Sequence, residues 1–195
     1  MTAPLGQIKR RTKRKISWET FQQKYLSRED GYKYEWLNGT IEKTPYMDKK
    51  QLYILRNLQE FFRKLLLEKK VYGELIAEAD LFFKEHHRRP DVCWLTDEQI
   101  DNLAEEGTDV PVFVIEVISP NDKIVKVESK IDDYRVAGVQ VVWRIFPHLK
   151  TVHISTGQNL ENTITHSGDM ICSAAPALPN FEMPVTAIFA RKKKS

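Results

Sequence analysis

Cysteine is scarce in this sequence, and the two that occur form no recognisable pattern. Cys93 and Cys172 are the only cysteines in 195 residues, and neither belongs to a CxxC motif. Zinc knuckles need clustered cysteines, and disulfide frameworks need several pairs. Both classes are therefore excluded, and we predict two free, buried thiols without a disulfide partner.

Long apolar runs are missing as well. No stretch reaches the roughly 20 apolar residues of a membrane-spanning helix, and no apolar segment follows the basic start of the chain as in a signal peptide. We therefore expect no membrane partner and a cytoplasmic protein. The chain is 42% hydrophobic and 29% charged, which is typical of one globular domain.

Common catalytic signatures are also absent. The sequence contains no Gly-rich phosphate loop, no GxSxG motif and no Cys/His pairing of the kind that nucleophilic enzymes use. His86 and His87 lie beside two arginines in HHRRP (86–90), which we interpret as a turn or loop rather than a metal site.

Positive charge is concentrated at the two ends of the chain. KRRTKRK (9–15) holds six basic residues and RKKK (191–194) holds four; removing these ten from the 30 Lys and Arg leaves 20 against 27 Asp and Glu. We predict a disordered basic tail over 1–15, a single domain over 16–190 and a basic tail over 191–195. The tails are either solvated or bind phosphate backbones; the candidate nucleic-acid contacts are Lys9, Arg10, Arg11, Lys13, Arg14 and Lys15.

The pattern of apolar residues predicts helices and strands in alternation. Asn38-Gly39 lies between two alternating runs and is a strong hairpin signal. Gly138 ends a helical pattern, as a glycine after a helix often does. The predicted class is α/β (α+β), a central mixed sheet flanked by helices, with helices over 17–26, 48–70 and 124–138, a hairpin over 32–43, and strands over 74–84, 91–95, 111–120, 139–146 and 151–155.

The predicted strand PVFVIEVISP (111–120) carries a glutamate in its middle. Both faces of the strand are apolar, so we expect burial on both sides. A buried carboxylate is costly unless it is paired, hydrogen-bonded or bound to a metal. Glu116 is therefore either an ion-pair partner of a Lys or Arg or a metal-binding or catalytic carboxylate.

Two further residues fit the second alternative. Asp91 follows Pro90 at the start of another apolar strand, and two carboxylates on neighbouring strands can share Mg²⁺. Asp91 could instead simply begin a turn. On the helix over 124–138, Lys130 lies at the edge of the apolar face, where its ammonium can reach the sheet or snorkel to solvent.

Several short motifs together resemble a known family. RPDV (89–92), VIEVISP (114–120) and SKIDDYRVAGVQVVW (129–143) are similar to motifs of the Uma-type restriction-endonuclease family in the PD-(D/E)XK nuclease-like superfamily. YEWLNG (34–39) and ALPNF (177–181) are similar to its first and last segments. The resemblance covers roughly residues 17–190.

The resemblance implies a restriction-endonuclease-like core with an N-terminal hairpin and Mg²⁺-dependent hydrolysis of DNA phosphodiester bonds, with Mn²⁺ as a substitute. Asp91, Glu116 and the carbonyl of Val117 would hold the metal, which would polarise the phosphate and acidify a water. Lys130 would orient that water or stabilise the transition state. Glu35 would supply an outer carboxylate.

Departures from the family pattern favour an alternative function. The long helix begins DKKQL without the usual histidine, and Val142 and Phe146 replace a tyrosine and an aspartate. The alternative is a catalytically degenerate nuclease fold that binds nucleic acid or serves in assembly. Cutting both strands of DNA requires two sites, so the nuclease interpretation is compatible with a homodimer.

Overall fold

The computed structural model describes residues 15–46, 48–83, 85–105 and 107–192. In chain order its elements are α1 (Trp18–Phe21), a π-helical turn (Gln22–Leu26), β1 (Tyr32–Leu37), β2 (Thr40–Pro45), a 3₁₀ turn (Lys49–Gln51), α2 (Leu52–Leu67), β3 (Glu74–Ala77), β4 (Leu81–Phe83), β5 (His86–Arg88), β6 (Val92–Leu95), α3 (Asp97–Ala104), β7 (Phe113–Val117), α4 (Ile124–Ala137), β8 (Val141–Phe146), β9 (Thr151–Thr156), β10 (Asn162–Ser167), β11 (Ile171–Ala174), β12 (Leu178–Pro184) and α5 (Val185–Ile188).

A six-stranded mixed sheet forms the centre of the fold, in the order β10-β9-β8-β7-β6-β3. β7 and β8 are parallel and are connected through α4, whereas their neighbours pair antiparallel. Parallel neighbours need such a crossover connection, which α4 supplies. The predicted class, a mixed central sheet flanked by helices, is confirmed.

The predicted hairpin forms one edge of a second sheet with the order β2-β1-β5-β4. Its turn residues Asn38 and Gly39 both have positive φ, 43° and 87°, as a tight hairpin turn requires. The loop predicted for HHRRP is wrong. Its residues 86–88 form β5, which pairs with both β1 and β4.

The helices largely follow the predicted pattern, with shifted ends. The 48–70 segment becomes a 3₁₀ turn followed by α2, and Glu78, with φ of 54°, lies in the bend that splits the 74–84 segment into β3 and β4. α4 ends before Gly138, whose φ is 94°. None of the described helices combines the length and apolar character needed to cross a membrane.

Apolar side chains cover both faces of the central sheet. One core lies between the sheet, α2 and the β11–β12 hairpin, and includes Phe113, Trp143 and Phe181. The other lies beneath α4 and includes Val114, Ile131 and Val142. Glu116 follows the buried residues Val114 and Ile115 of β7. The fold therefore places its carboxylate near the end of a strand whose residues are all buried.

Both cysteines are free and buried. Burial raises the pKa of the Cys93 and Cys172 thiols to about 12. Protonated, buried thiols are poor nucleophiles.

The predicted tails fall mainly outside the described residues, and the domain boundaries at 16 and 190 stay predictions. Of the six candidate nucleic-acid contacts, those outside the described residues are Lys9, Arg10, Arg11, Lys13 and Arg14. Lys15 is described: it is exposed, and its side chain lies beside Gly39 of the hairpin turn.

Candidate active site

A cleft of about 520 Å³ opens between the β1–β2 hairpin, the end of β7 and the start of α4. The residues that line it include four of the predicted site residues: Asp91, Glu116, Val117 and Lys130. It is also lined by Lys33, which the sequence analysis did not single out. The cleft therefore brings carboxylates and ammonium groups together at one end of the central sheet.

Glu116 lies on the central strand β7 and is 5% exposed. Its Oε1 accepts a hydrogen bond of 2.5 Å from the Tyr134 hydroxyl and one of 3.2 Å from Lys130 Nζ. Residues four apart on a helix share one face, so α4 presents both donors to the same carboxylate. Burial raises the pKa of Glu116, while the Lys130 ammonium opposes that rise.

Asp91 precedes β6 and is held by two donors. The Val117 amide donates to Oδ2 at 2.7 Å, and Lys33 Nζ donates to Oδ1 at 2.5 Å. β6 runs antiparallel to β7 with Val92 opposite Ile115, which brings Asp91 next to the end of β7. Burial by itself would lower the pKa of Lys33, but the carboxylates of Asp91 and Glu116 together raise it, so Lys33 is a cation.

Lys130 points into the protein rather than to solvent. Its Nζ lies 3.2 Å from Glu116 Oε1 and 3.1 Å from Glu35 Oε1, and its side chain is 13% exposed. Burial would lower its pKa, but the two glutamates raise it above the ordinary value for lysine. Lys130 is therefore a fixed positive charge and not a base.

Glu35 lies on β1 and is fully buried. Besides Lys130, it contacts Arg88 Nη1 at 2.9 Å and accepts a hydrogen bond of 3.0 Å from the Arg89 amide. Burial would raise the pKa of its carboxyl group, but Lys130 and Arg88 prevail and lower the pKa to about 2. Glu35 is thus an anion that fixes the ammonium of Lys130.

Arg88, on β5, connects the hairpin to α4. Its guanidinium group is fully buried and donates to Asp133 at 2.7 Å and to Ser129 at 3.2 Å, as well as to Glu35. Glu42 lies directly opposite Glu35 in the hairpin and is 3.5 Å from Arg88 Nη1. Two carboxylates facing each other across a strand pair repel, and the guanidinium group between them offsets that repulsion.

Lys33 and Arg88 were not identified as site residues from the sequence, and Tyr134, although it belongs to the motif over 129–143, was assigned no role there. Lys33 had a usable signal, because it lies two positions from Glu35 on a strand and so shares its face. The adjacent histidines lie elsewhere: His86 contacts Asp133 and His87 contacts Asp80, and neither lines the cleft.

The donor atoms in the cleft fit a hard divalent cation. Within the described ranges, no group of three or more His, Cys, Asp or Glu side chains is placed to hold a metal ion. Mg²⁺ needs fewer, because it binds through one or two carboxylates and completes its shell with waters and substrate phosphates. Asp91 and Glu116 supply two carboxylates, and Val117, whose carbonyl is the predicted third ligand, lines the same cleft.

Comparisons with known proteins give the fold and the family of the chain. A solved structure from Anabaena variabilis ATCC 29413, described as "a putative nuclease belonging to DUF820", matches with a TM-score of 0.72 and 19% identity, covering 89% of this chain and 97% of that one. That likeness shows the fold. No curated protein matches the chain. The family Uma2, described as "Putative restriction endonuclease", matches residues 18–186, and the chain therefore belongs to the Uma2 family.

Proposed function

We propose that this protein is a Mg²⁺-dependent endonuclease that hydrolyses phosphodiester bonds of DNA. The observation that carries the proposal is the convergence of Asp91, Glu116 and Lys130 on one cleft. Family membership supports a nuclease, and the cleft supplies the groups that such chemistry needs.

Each side chain has a role that follows from its surroundings. Asp91 and Glu116 would hold the cation, with the carbonyl of Val117 beside them. A bound Mg²⁺ supplies Lewis-acid stabilisation of the phosphodiester and lowers the pKa of the attacking water; Mn²⁺ can substitute for it. The Tyr134 hydroxyl donates a hydrogen bond to Glu116 and so fixes the orientation of that carboxylate.

Lys130 acts as a positive charge. Because Glu116 and Glu35 keep it protonated, its ammonium can donate hydrogen bonds to a phosphate oxygen as negative charge develops there. Glu35, anchored by Arg88, holds Lys130 in place and does not itself line the cleft. Lys126, on the preceding turn of α4, also lines the cleft and is 41% exposed, so it is available to the phosphate backbone.

The test compares metal binding and DNA cleavage in the same buffers. We expect Glu116→Gln to weaken Mn²⁺ binding by about 100-fold or more, because it loses a charged ligand, and to abolish nicking of supercoiled plasmid. Calorimetry and gel electrophoresis measure the two effects. Glu128→Gln is the matched control, because Glu128 is also on α4 but is 53% exposed and pairs with Arg144 instead.

One observation favours the alternative function, a degenerate nuclease fold that binds nucleic acid or serves in assembly. Lys33 already neutralises Asp91, so that carboxylate does not require a metal in order to be buried. If the wild type neither binds Mn²⁺ nor nicks DNA, yet binds DNA, the alternative replaces the endonuclease.

The remaining parts of the proposal come from the sequence. They are DNA as the partner of the basic tails, a cytoplasmic location, and a homodimer that supplies one site for each strand. Light scattering with and without a DNA duplex tests the dimer, since one chain per duplex would contradict it.

A further inference from the structure

The cleft contains a lysine that the proposed mechanism leaves without a role. Lys33 Nζ is 2.5 Å from Asp91 Oδ1, and the side chains of the two residues are only 4% and 9% exposed. We infer that Lys33 takes the place of the divalent cation at Asp91 in the metal-free protein and gives up that carboxylate to the cation when the substrate phosphate binds. The inference rests on the proposed function.

Asp91 accepts one hydrogen bond from the backbone and one from a lysine side chain. Its Oδ2 accepts the backbone amide of Val117, which cannot move without distorting β7, and its Oδ1 accepts the ammonium of Lys33. A cation that binds Asp91 through Oδ1 therefore competes with Lys33. The side chain of a lysine can move, whereas the amide of a buried strand cannot.

Lys33 also has a second carboxylate within reach, that of Glu78. Its Nζ lies 3.7 Å from Glu78 Oε1, and the Glu78 side chain is 26% exposed. Glu78 and Asp91 also line a second cavity of about 190 Å³ next to the cleft. Lys33 can thus leave Asp91 and keep a carboxylate partner.

Lys33 and Lys130 differ in the number of carboxylates that hold them. Lys130 is held by two close carboxylates, Glu116 at 3.2 Å and Glu35 at 3.1 Å, whereas Lys33 has one close carboxylate. Lys33 is therefore the lysine that exchanges, and Lys130 is the one that stays.

The charges in the cleft explain why the exchange of Lys33 for the cation at Asp91 should be coupled to substrate binding. The pairs Lys33–Asp91 and Lys130–Glu116 together carry no net charge. A divalent cation makes this group positive, and a phosphodiester offsets that charge while accepting hydrogen bonds from the released Lys33. Metal and substrate should therefore bind cooperatively, with Lys33 in contact with the phosphate.

The experiment measures Mn²⁺ affinity by calorimetry for the wild type and for Lys33→Gln, whose amide can still donate to Asp91. We expect Lys33→Gln to bind Mn²⁺ about tenfold more tightly or better, since it lacks the competing charge. We expect it to nick plasmid more slowly at saturating metal, because the phosphate has lost a donor. Lys126→Gln is the control: it removes a cleft lysine that contacts Glu42 instead, and Mn²⁺ affinity should not rise.

Lys33→Arg is a second control, which separates the loss of the positive charge from the effect of any substitution at this position. The guanidinium keeps the positive charge, so Mn²⁺ should bind this variant no more tightly than the wild type. If Lys33→Gln is unstable without metal, Mn²⁺ should raise its melting temperature more than it raises that of the wild type.

The outcomes separate this inference from the proposed function. Tighter Mn²⁺ binding by Lys33→Gln, beside a wild type that cleaves DNA, supports both the exchange and the endonuclease. Tighter binding by Lys33→Gln beside a wild type that neither binds metal nor cleaves DNA supports only the competition of Lys33 with the cation at Asp91, and it overturns the endonuclease proposal and the release of Lys33 to a phosphate. Unchanged or weaker binding by Lys33→Gln, beside a wild type that binds Mn²⁺ and cleaves DNA, overturns the exchange and leaves the endonuclease intact. No binding by either protein overturns both.

Discussion

Glu35 shows how a single residue can organise the site without lining the cleft. It is fully buried and is held by Arg88, Lys130 and the Arg89 amide. A buried carboxylate with such partners is stable only as an anion, because protonation removes its attraction to both cations. The stability of the protein should therefore depend on the charge of Glu35.

This dependence predicts a defined effect of pH. The pKa of Glu35 is about 2 in the folded protein, below its ordinary value of 4.5. A carboxyl group whose pKa is lowered on folding stabilises the folded protein fully at pH values above its pKa in the unfolded chain. This stabilisation is lost as the pH falls towards its pKa in the folded protein. Relative to Glu35→Gln, the wild type should lose roughly 2 kcal/mol of unfolding free energy between pH 5 and pH 3.

Urea denaturation of both proteins across this pH range measures the effect. The difference between wild type and Glu35→Gln should be largest near pH 6 and should shrink as the pH falls. A difference that stays constant from pH 6 to pH 3 would show that the ion pairs of Glu35 contribute nothing that depends on its charge.

At the scale of elements, two glycines with positive φ perform different tasks. Gly138 (φ 94°) follows α4, and a Cβ added there would meet no atom within 4 Å. Gly73 (φ 69°) precedes β3, and a Cβ there would lie 2.2 Å from the carbonyl oxygen of Leu95. The first position needs only backbone freedom, whereas the second also needs the absence of a side chain.

Alanine at the two positions should therefore differ in cost. Gly138→Ala should lower the free energy of unfolding by about 1–2 kcal/mol, the cost of a left-handed residue. Gly73→Ala should cost at least ~2 kcal/mol more, because β3 must also move away from the end of β6. Thermal unfolding measures both, and equal losses would contradict the close approach of Gly73 to Leu95.

Elements with strong local signals could be predicted from sequence, and those that depend on distant partners could not. The hairpin is specified by Asn38-Gly39, and the end of α4 by Gly138. β5 has no such signal, since HHR becomes a strand only by pairing with β1 and β4. Its burial between those strands is what turns Arg88 into an interior cation.

The same distinction applies to the site. Asp91, Glu116, Lys130 and Glu35 could be identified because motifs or an apolar setting mark them, and the structure brings the last three into contact. Lys33 shares a strand face with Glu35, but the alternation of residues does not by itself show that this face is buried. Its burial follows from the packing of the hairpin against the central sheet, which no local pattern encodes.

At the scale of the whole molecule, charge is divided between a basic tail and an acidic body. Residues 1–14, which lie outside the described residues, contain five of the six basic residues of KRRTKRK. If the tail binds phosphate backbones, its affinity should depend strongly on salt, because each neutralised phosphate releases a counterion.

Removal of residues 1–14 should therefore weaken binding to non-specific duplex DNA and reduce the salt dependence. The slope of log affinity against log salt should fall in magnitude by up to about 4.5, because each of the five lost charges contributes close to 0.9. Fluorescence anisotropy over a series of salt concentrations measures it, with circular dichroism to check folding. An unchanged slope would show that the tail is merely solvated.

The pairing of residues far apart in the chain also determines when the site comes into existence. The contacts Lys33–Asp91, Asp91–Val117 and Glu116–Lys130 join residues 58, 26 and 14 positions apart. During synthesis, Lys130 and Tyr134 cannot contact Glu116 until the α4 segment has left the ribosome. Until that point, Glu116 has neither of its hydrogen-bond donors. The cleft therefore acquires its full set of charged groups only after α4 has been synthesised, and a proteolytic fragment that separates the hairpin from α4 would lack that set.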